Sequence, residues 1–286
     1  MQKSSTFSNL RRRLAPFIRP MLEHFPPLRF MAVAILKIKQ QGSMERCGLQ
    51  FELPSGDFGV TLEAESTGEY EPVTTHIMQS ILKEGMTFID IGAHVGLFTM
   101  PAAKWVGKSG RVVAFEPHPE NFAMLSRNAA TNSLHPELVN AAVSNVAGSV
   151  QLHASTFNSG DHQIYHSASR KGISVDCVKL DEFFSSEDRV DLIKMDVQGA
   201  ESAAFHGMER LLKNNTSVKV IWELSPAQLK DAGDDAASLL DWLASLGFDF
   251  TIVDDVTGAV EPATAEEVLR RCPSDSYVNI LSQRNA

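Results

Sequence analysis

Cysteine is scarce and scattered in this 286-residue chain: Cys47, Cys177 and Cys272 stand alone, with no C-x-x-C pair. That argues against a thiolate zinc site and against a disulfide framework, and it points to a reducing compartment, read here as the cytoplasm. Long apolar runs are missing too. The longest, "FMAVAIL" at Phe30–Leu36, is bounded by Arg29 and Lys37, well short of the roughly 20 residues a membrane helix needs. It also follows "FPP", too late for a secretory signal. Basic charge is in deficit, with 26 Lys and Arg against 35 Asp and Glu and a net charge of -9. Nucleic acid is gripped mainly by Lys and Arg, so no nucleic-acid partner is expected.

What is present is ordinary for a globular domain: 43% hydrophobic and 21% charged residues, enough for one large α/β domain with a sizeable core. The sparse positive charge collects in residues 1–46, where Arg11, Arg12, Arg13, Arg19, Arg29, Lys37 and Lys39 face only Glu23 and Glu45. The chain therefore divides into a basic N-terminal extension, 1–46, and a domain, 47–286. The extension has two readings: a solvated arm, or an amphipathic piece making peripheral contact with an anionic membrane.

In "GLQFELPSGDFGVTLEA" two β-prone runs flank "PSGD", which predicts a hairpin. Glu71–Glu84 reads as a helix with Val73, Ile77, Ile81 and Leu82 on one face. From Met86 strands and helices alternate. "MTFIDIG", "RVVAFE", "ELVNAAV", "DLIKMD", "VKVIWE", "FDFTIVD" and "YVNILS" are the strands; helices are expected over 96–106, 119–131, 199–212 and 234–246. Short apolar runs separated by helices predict a mostly parallel seven-stranded sheet covered on both faces. An insert, Gly148–Glu187, carries two further β-like runs around a polar loop; its His162 and His166 read as part of a solvated substrate loop rather than a metal pair.

The first strand ends in Asp90-x-Gly92-x-x-x-Gly96. Glycine at such a turn lets the backbone bend and lets a ligand come close. A dinucleotide fingerprint would need glycine where His94 stands, and no Gly-Lys-Ser/Thr follows to make a P-loop. The second strand ends in Glu116, 20 residues after Gly96. An acidic residue there can accept both ribose hydroxyls. A glycine turn plus a ribose clamp without a pyrophosphate site fits S-adenosylmethionine.

These residues resemble a known family. "FIDIGAHVG", "GRVVAFEPHPENFAML", "NAAVSN", "VKLDEF" and "DLIKMDVQGAE" occur in the order and spacing of the FkbM methyltransferases, over about Gly68–Leu224. The resemblance implies a Rossmann-like class I methyltransferase fold with an antiparallel last strand. It implies S-adenosyl-L-methionine as cofactor and a hydroxyl acceptor on a sugar, glycolipid or natural product. It also implies cofactor contacts from Glu71, Asp90, Gly92, Ala93, His94, Gly96, Glu116, Pro117 and Ala142, with a plain helix-start acid as the alternative for Glu71, and a base or a ring that satisfies backbone groups as the alternatives for His94. The family usually has Asn in place of His94, and "DVEGAE" where this chain has Gln198 within Asp196–Glu201.

Asp196, at the end of the fourth strand, is the expected base for an attacking hydroxyl, with a helix-capping role as the alternative. Glu201 and Glu223 are the other candidate catalytic carboxylates; for Glu201 the alternative is a first-turn Glu favoured by the helix dipole. The three could hold a divalent metal, but no His stands with them at ligand spacing, so no metal is expected. Phe115 and Trp222 read as core. Two rivals remain: a cofactor-binding module with impaired catalysis, for which Gln198 is the warning, and a nicotinamide dehydrogenase, against which His94 argues.

Overall fold

The computed structural model describes residues 42–284, apart from 56, 58, 154–171 and 274–275. Residues 1–41 of the basic extension, together with His162 and His166, lie outside the described residues.

The described chain enters through a hairpin of β1 (Ser43–Arg46) and β2 (Leu49–Glu52). Its turn is Cys47–Gly48, both left-handed at φ +54 and +68. The hairpin predicted around "PSGD" is displaced: "VTLEA" lies in a helix, α1 (Val60–Thr67). Asp57 Oδ2 accepts from the Thr61 amide at 2.7 Å in the first turn, and Val60 and Ala64 bury against Leu49, Phe51 and Leu53. A local side-chain acceptor and a tertiary apolar surface outweigh the β preference of the run.

Next come α2 (Pro72–Ile81), β3 (Thr87–Ile91), α3 (Thr99–Val106), β4 (Arg111–Phe115), α4 (Pro119–Thr131) and β5 (Glu137–Val139). Pro101 falls in the first turn of α3, where its missing N–H costs nothing. "ELVNAAV" is not one strand. Asn140 donates back to the carbonyls of Glu116 and Pro117, so the chain turns and β6 (Ala142–Val143) joins a different sheet. That small sheet runs β6-β8-β7, with β7 (Gly148–His153) and β8 (Gly172–Val178).

After α5 (Leu180–Phe183) come β9 (Leu192–Met195), α6 (Glu201–His206) and α7 (Glu209–Asn214). The single helix expected over 199–212 breaks at Gly207, where a Cβ would stand 2.0 Å from the Ser144 carbonyl oxygen. Asp181 restarts it by accepting from the amides of Arg210 and Leu211, both at 2.8 Å. The remainder is β10 (Lys219–Leu224), α8 (Pro226–Asp231), α9 (Ala236–Ser245), β11 (Asp249–Val253), β12 (Val260–Ala263), α10 (Ala265–Arg271) and β13 (Val278–Gln283). β12 and α10 are additional to the sequence reading, although the Thr264/Glu267 capping box of α10 was legible there.

The main sheet has the order β12-β11-β13-β10-β9-β3-β4-β5. Strands β5, β4, β3, β9 and β10 are parallel, while β13 runs antiparallel to both β10 and β11. This is the expected Rossmann-like α/β sheet with an antiparallel last strand, plus β12 at the edge. The chain leaves β3 toward β4 and later returns on its other side as β9. The crevice at the carboxyl ends of β3 and β9 is the topological switch point.

On one face Ile91, Phe115, Met195 and Trp222 pack against α5, α6, α7 and α9. Trp222 is fully buried and donates its indole N–H to Ser282 Oγ at 2.8 Å. On the other face Phe88, Val112, Leu192, Ile221 and Leu281 meet Met78 and Leu82 from the α2 side, and Phe98, Ala102 and Val106 from the α3 side. The polar groups of the site share this second face. No helix among the described residues is long and apolar enough to cross a membrane.

Candidate active site

The register lines up polar residues in two rows. Asp90 pairs with Ala114 on one side and Lys194 on the other, and Lys194 pairs with Ile221. Side chains alternate with a period of two. The next level on the same face therefore holds Glu116, Gly92, Asp196 and Glu223, with Glu223 paired to Asn279. Residues as far apart in the sequence as Asp90 and Asn279 form a stripe across the strand ends.

A cleft of about 810 Å³, counting its open mouth, follows this stripe. Of the residues expected from sequence, Gly92, Ala93, His94, Glu116, Pro117, Ala142 and Asp196 line it. Tyr70, Phe98, Asn121, Lys194 and Gln198 line it as well. Glu71, Asp90, Gly96, Glu201 and Glu223 are not among the residues that line it.

Glu116 is buried, with 4% exposure. Oε2 accepts from the His94 amide and Oε1 from the His118 amide, each at 2.8 Å. Burial raises its carboxyl to about 7, against the lowering effect of the His118 and His94 amides and Asn121. The acid is oriented by backbone donors and retains further acceptor capacity.

The two glycines are required by close packing within the protein. A Cβ on Gly92 (φ +80) would lie 2.0 Å from the Asp196 carbonyl oxygen. One on Gly96 (φ +91) would lie 2.7 Å from Leu125 Cδ1 and 3.0 Å from Met100 Cε. The protein's own packing demands glycine at both positions, and Gly92 also lines the cleft. His94 takes the left-handed conformation (φ +52) without being glycine, and burial lowers its imidazole to about 4, so it is neutral near pH 7.

Lys194 is the residue that sequence reasoning missed. It is 4% exposed. Its Nζ stands 3.4 Å from Asp196 Oδ2 and 4.7 Å from the centroid of the Phe98 ring. Burial alone would lower its pKa, but Asp196, Glu71, Asp90 and Glu223 together outweigh that and hold it above the usual lysine value. A lysine inside an apolar run between two aspartates was the available signal.

The carboxylates around Lys194 are held separately. Asp90 Oδ2 accepts from Thr99 Oγ1 at 2.6 Å, and burial raises Asp90 to about 6. Glu71 precedes α2 in a left-handed conformation (φ +42), and burial raises it to about 7. Its neighbours are pinned from both ends of the domain. Asp255 accepts from the Val73 and Thr74 amides and from Thr74 Oγ1, while Arg46 donates to the Tyr70 carbonyl at 2.7 Å and to Thr75 Oγ1. Glu201 turns onto its own loop, accepting from the Gly199 amide at 3.1 Å, and burial raises it to about 7. Glu223 is raised well above the ordinary value, first by burial and then by Asp196. Among the described residues no group of three His, Cys, Asp or Glu is arranged to hold a metal ion.

The cleft and its floor are rich in acceptors. Asp90 Oδ1 and Glu71 Oε2 are buried without a hydrogen-bond partner. A fitting ligand brings donors and positive charge, as the ribose hydroxyls, ammonium and sulfonium of S-adenosylmethionine do.

Comparison with known proteins agrees. Residues 90–250, more than half the chain, match the methyltransferase FkbM domain. No curated protein matches the chain in sequence. Among solved structures, a putative rRNA-methylase from Clostridium thermocellum is 12% identical with a TM-score of 0.46, the match covering 74% of this chain and 94% of that one. An S-adenosylmethionine-dependent O-methyltransferase from Thermotoga maritima is 14% identical with a TM-score of 0.39, covering 85% and 78%. The tRNA (uracil-54, C5)-methyltransferase of Pyrococcus abyssi, in complex with S-adenosyl-L-homocysteine, is 11% identical with a TM-score of 0.43, covering 85% and 44%. The domain match runs from the Asp90 turn into β11 and takes in the whole polar stripe as far as Glu223, so the chain belongs to the FkbM methyltransferase family, and S-adenosylmethionine is its cofactor.

Proposed function

We propose that the protein methylates a hydroxyl group of a sugar, glycolipid or other natural product. The observation that carries this reading is Asp196. It lies at the switch point, its side chain is 18% exposed, and it lines the cleft on the same level of the stripe as Glu116 and Gly92.

S-adenosylmethionine supplies, when bound, an electrophilic methyl group on a sulfonium sulfur. Glu116 would hold the ribose hydroxyls beside the 92–94 turn, whose amides are spent on Phe115 and Glu116, and Asp90 and Glu71 would offer acceptors to the ammonium group. Asp196 receives the proton of the attacking hydroxyl. An alcohol is a weak acid, so that proton leaves late, and much of the acceleration comes from alignment within the cleft. Neutral His94 adds no charge near the reacting centre.

The test uses S-adenosylmethionine with an isotopically labelled methyl, a panel of hydroxyl compounds, and mass spectrometry. Asp196→Asn is expected to lower turnover roughly 10²–10⁴-fold with cofactor affinity nearly unchanged. Normal turnover in that variant would overturn the assignment.

A second reading, a module that binds cofactor with impaired catalysis, is favoured by one feature. Both Asp196 oxygens are already engaged, Oδ2 by Lys194 and Oδ1 by Gln198. Cofactor binding with no S-adenosylhomocysteine formed against any acceptor would select it. Peripheral membrane contact through the basic extension belongs to the proposal as well. Removing residues 1–41, which stops short of the β1–β2 hairpin, is expected to abolish co-sedimentation with acidic vesicles and spare transfer to a soluble acceptor.

A further inference from the structure

Gln198 bridges two carboxylates. Its Nε2 donates to Asp196 Oδ1 at 2.7 Å and to Glu223 Oε1 at 3.2 Å. Its own Oε1 accepts from Gln228 Nε2 at 3.0 Å. The two acids set the polarity of the amide, because they only accept, and the Gln228 contact matches it by offering a donor to the oxygen. The backbone is left-handed at Gln198 (φ +52) and at Gly199 (φ +98).

Asp196 and Glu223 end neighbouring parallel strands. Two carboxylates on adjacent strands with no donor between them either repel or share a proton. Lys194 meets only the far oxygen of Asp196, Oδ2. Glu71 and Glu201 add further negative charge around the pair, Asp90 adds it beneath Lys194, and Asp255 acts on Glu71. A neutral amide with two hydrogens supplies both missing donors without adding charge.

We propose that Gln198 is the positioning residue of this cleft: its amide nitrogen occupies the place on Asp196 Oδ1 that the proton held by Glu223 would otherwise share, so that Asp196 can receive the proton of the acceptor hydroxyl. In that step the acceptor O–H bond breaks as the new C–O bond forms and the methyl–sulfur bond breaks, and the proton ends on the Asp196 carboxylate. The inference rests on the O-methyl reading.

The test compares wild type with Gln198→Glu, Gln198→Leu and Gln228→Leu. Protons exchanged on binding S-adenosylmethionine are counted by calorimetry at pH 7 in buffers of different ionisation enthalpy, which requires no acceptor. Gln198→Glu places a third carboxylate between the two and is expected to release about one proton more than wild type as the cationic cofactor enters. With an active acceptor, its rate profile is expected to rise at higher pH than the wild-type profile. Gln198→Leu is expected to lose roughly tenfold or more in turnover, with cofactor affinity within a few fold. Gln228→Leu should move the profile in the same direction. Equal proton counts for wild type and Gln198→Glu, or wild-type turnover and pH profile in Gln198→Leu, overturn the proposal. A wild type that binds cofactor and methylates no hydroxyl compound removes the O-methyl reading instead, and the proton count still decides whether the amide stands in for a proton.

Discussion

Lys194 and Asp196 lie two residues apart on the same face of one strand end, with Nζ 3.4 Å from Oδ2. The ammonium is buried under the Phe98 ring while the carboxylate faces the cleft. The pair joins the floor of the site to its reactive surface.

Removing the cation leaves Asp90, Glu71, Asp196 and Glu223 facing one another. Lys194→Met, close in shape, is expected to destabilise the protein by about 3–5 kcal/mol, read by urea denaturation. Adding Asp196→Asn should restore part of the loss, because one of the uncompensated charges is gone.

Glu116→Gln retains the carbonyl acceptor and replaces the other oxygen with an amide donor that opposes a backbone N–H. Affinity for S-adenosylmethionine is expected to fall about tenfold or more. Titration calorimetry giving the wild-type value would remove Glu116 from the cofactor contacts.

Substitution of either turn glycine should damage the fold ahead of binding. Gly92→Ala directs a methyl at the Asp196 carbonyl, and Gly96→Val pushes into Leu125 and Met100. Both are expected to lower the melting temperature without any cofactor present. A variant that melts like wild type and only fails to bind would return these glycines to a ligand role.

Unliganded stability should fall as pH rises from about 6.5 to 8. Glu71, Glu116 and Glu201 are raised to about 7 and Asp90 to about 6. In this window the folded chain still holds protons that the unfolded chain has released, and that advantage is lost as pH passes through the folded values. His94, lowered to about 4, acts in the opposite sense, but only below about 6.5, where the unfolded imidazole takes up a proton. Melting curves at pH 6.5 and 8, with and without S-adenosylmethionine, check this. The cofactor's stabilising shift should be larger at pH 8, where the acids it meets are already ionised.

The sequence by itself determined the alternation of strands and helices, the helix over Pro119–Thr131, and the acidic tips Asp90, Glu116, Asp196 and Glu223. Each of these is a local signal: apolar period, proline at a first turn, or a charge ending an apolar run. The tertiary structure decided which of those residues meet. Lys194 looks like one charge in a strand until the parallel register sets Asp90 beside it and Asp196 and Glu223 one level above. The glycine turn was legible in the sequence, but a sequence does not reveal that the Asp196 carbonyl crosses 2.0 Å from where a Cβ on Gly92 would stand. The short run after "PSGD" became a helix because Leu49, Phe51 and Leu53 offered it a surface to cover. Side-chain periodicity is set along one segment, whereas register, close backbone approach and the balance of buried charge are set between segments, and only the assembled sheet specifies those.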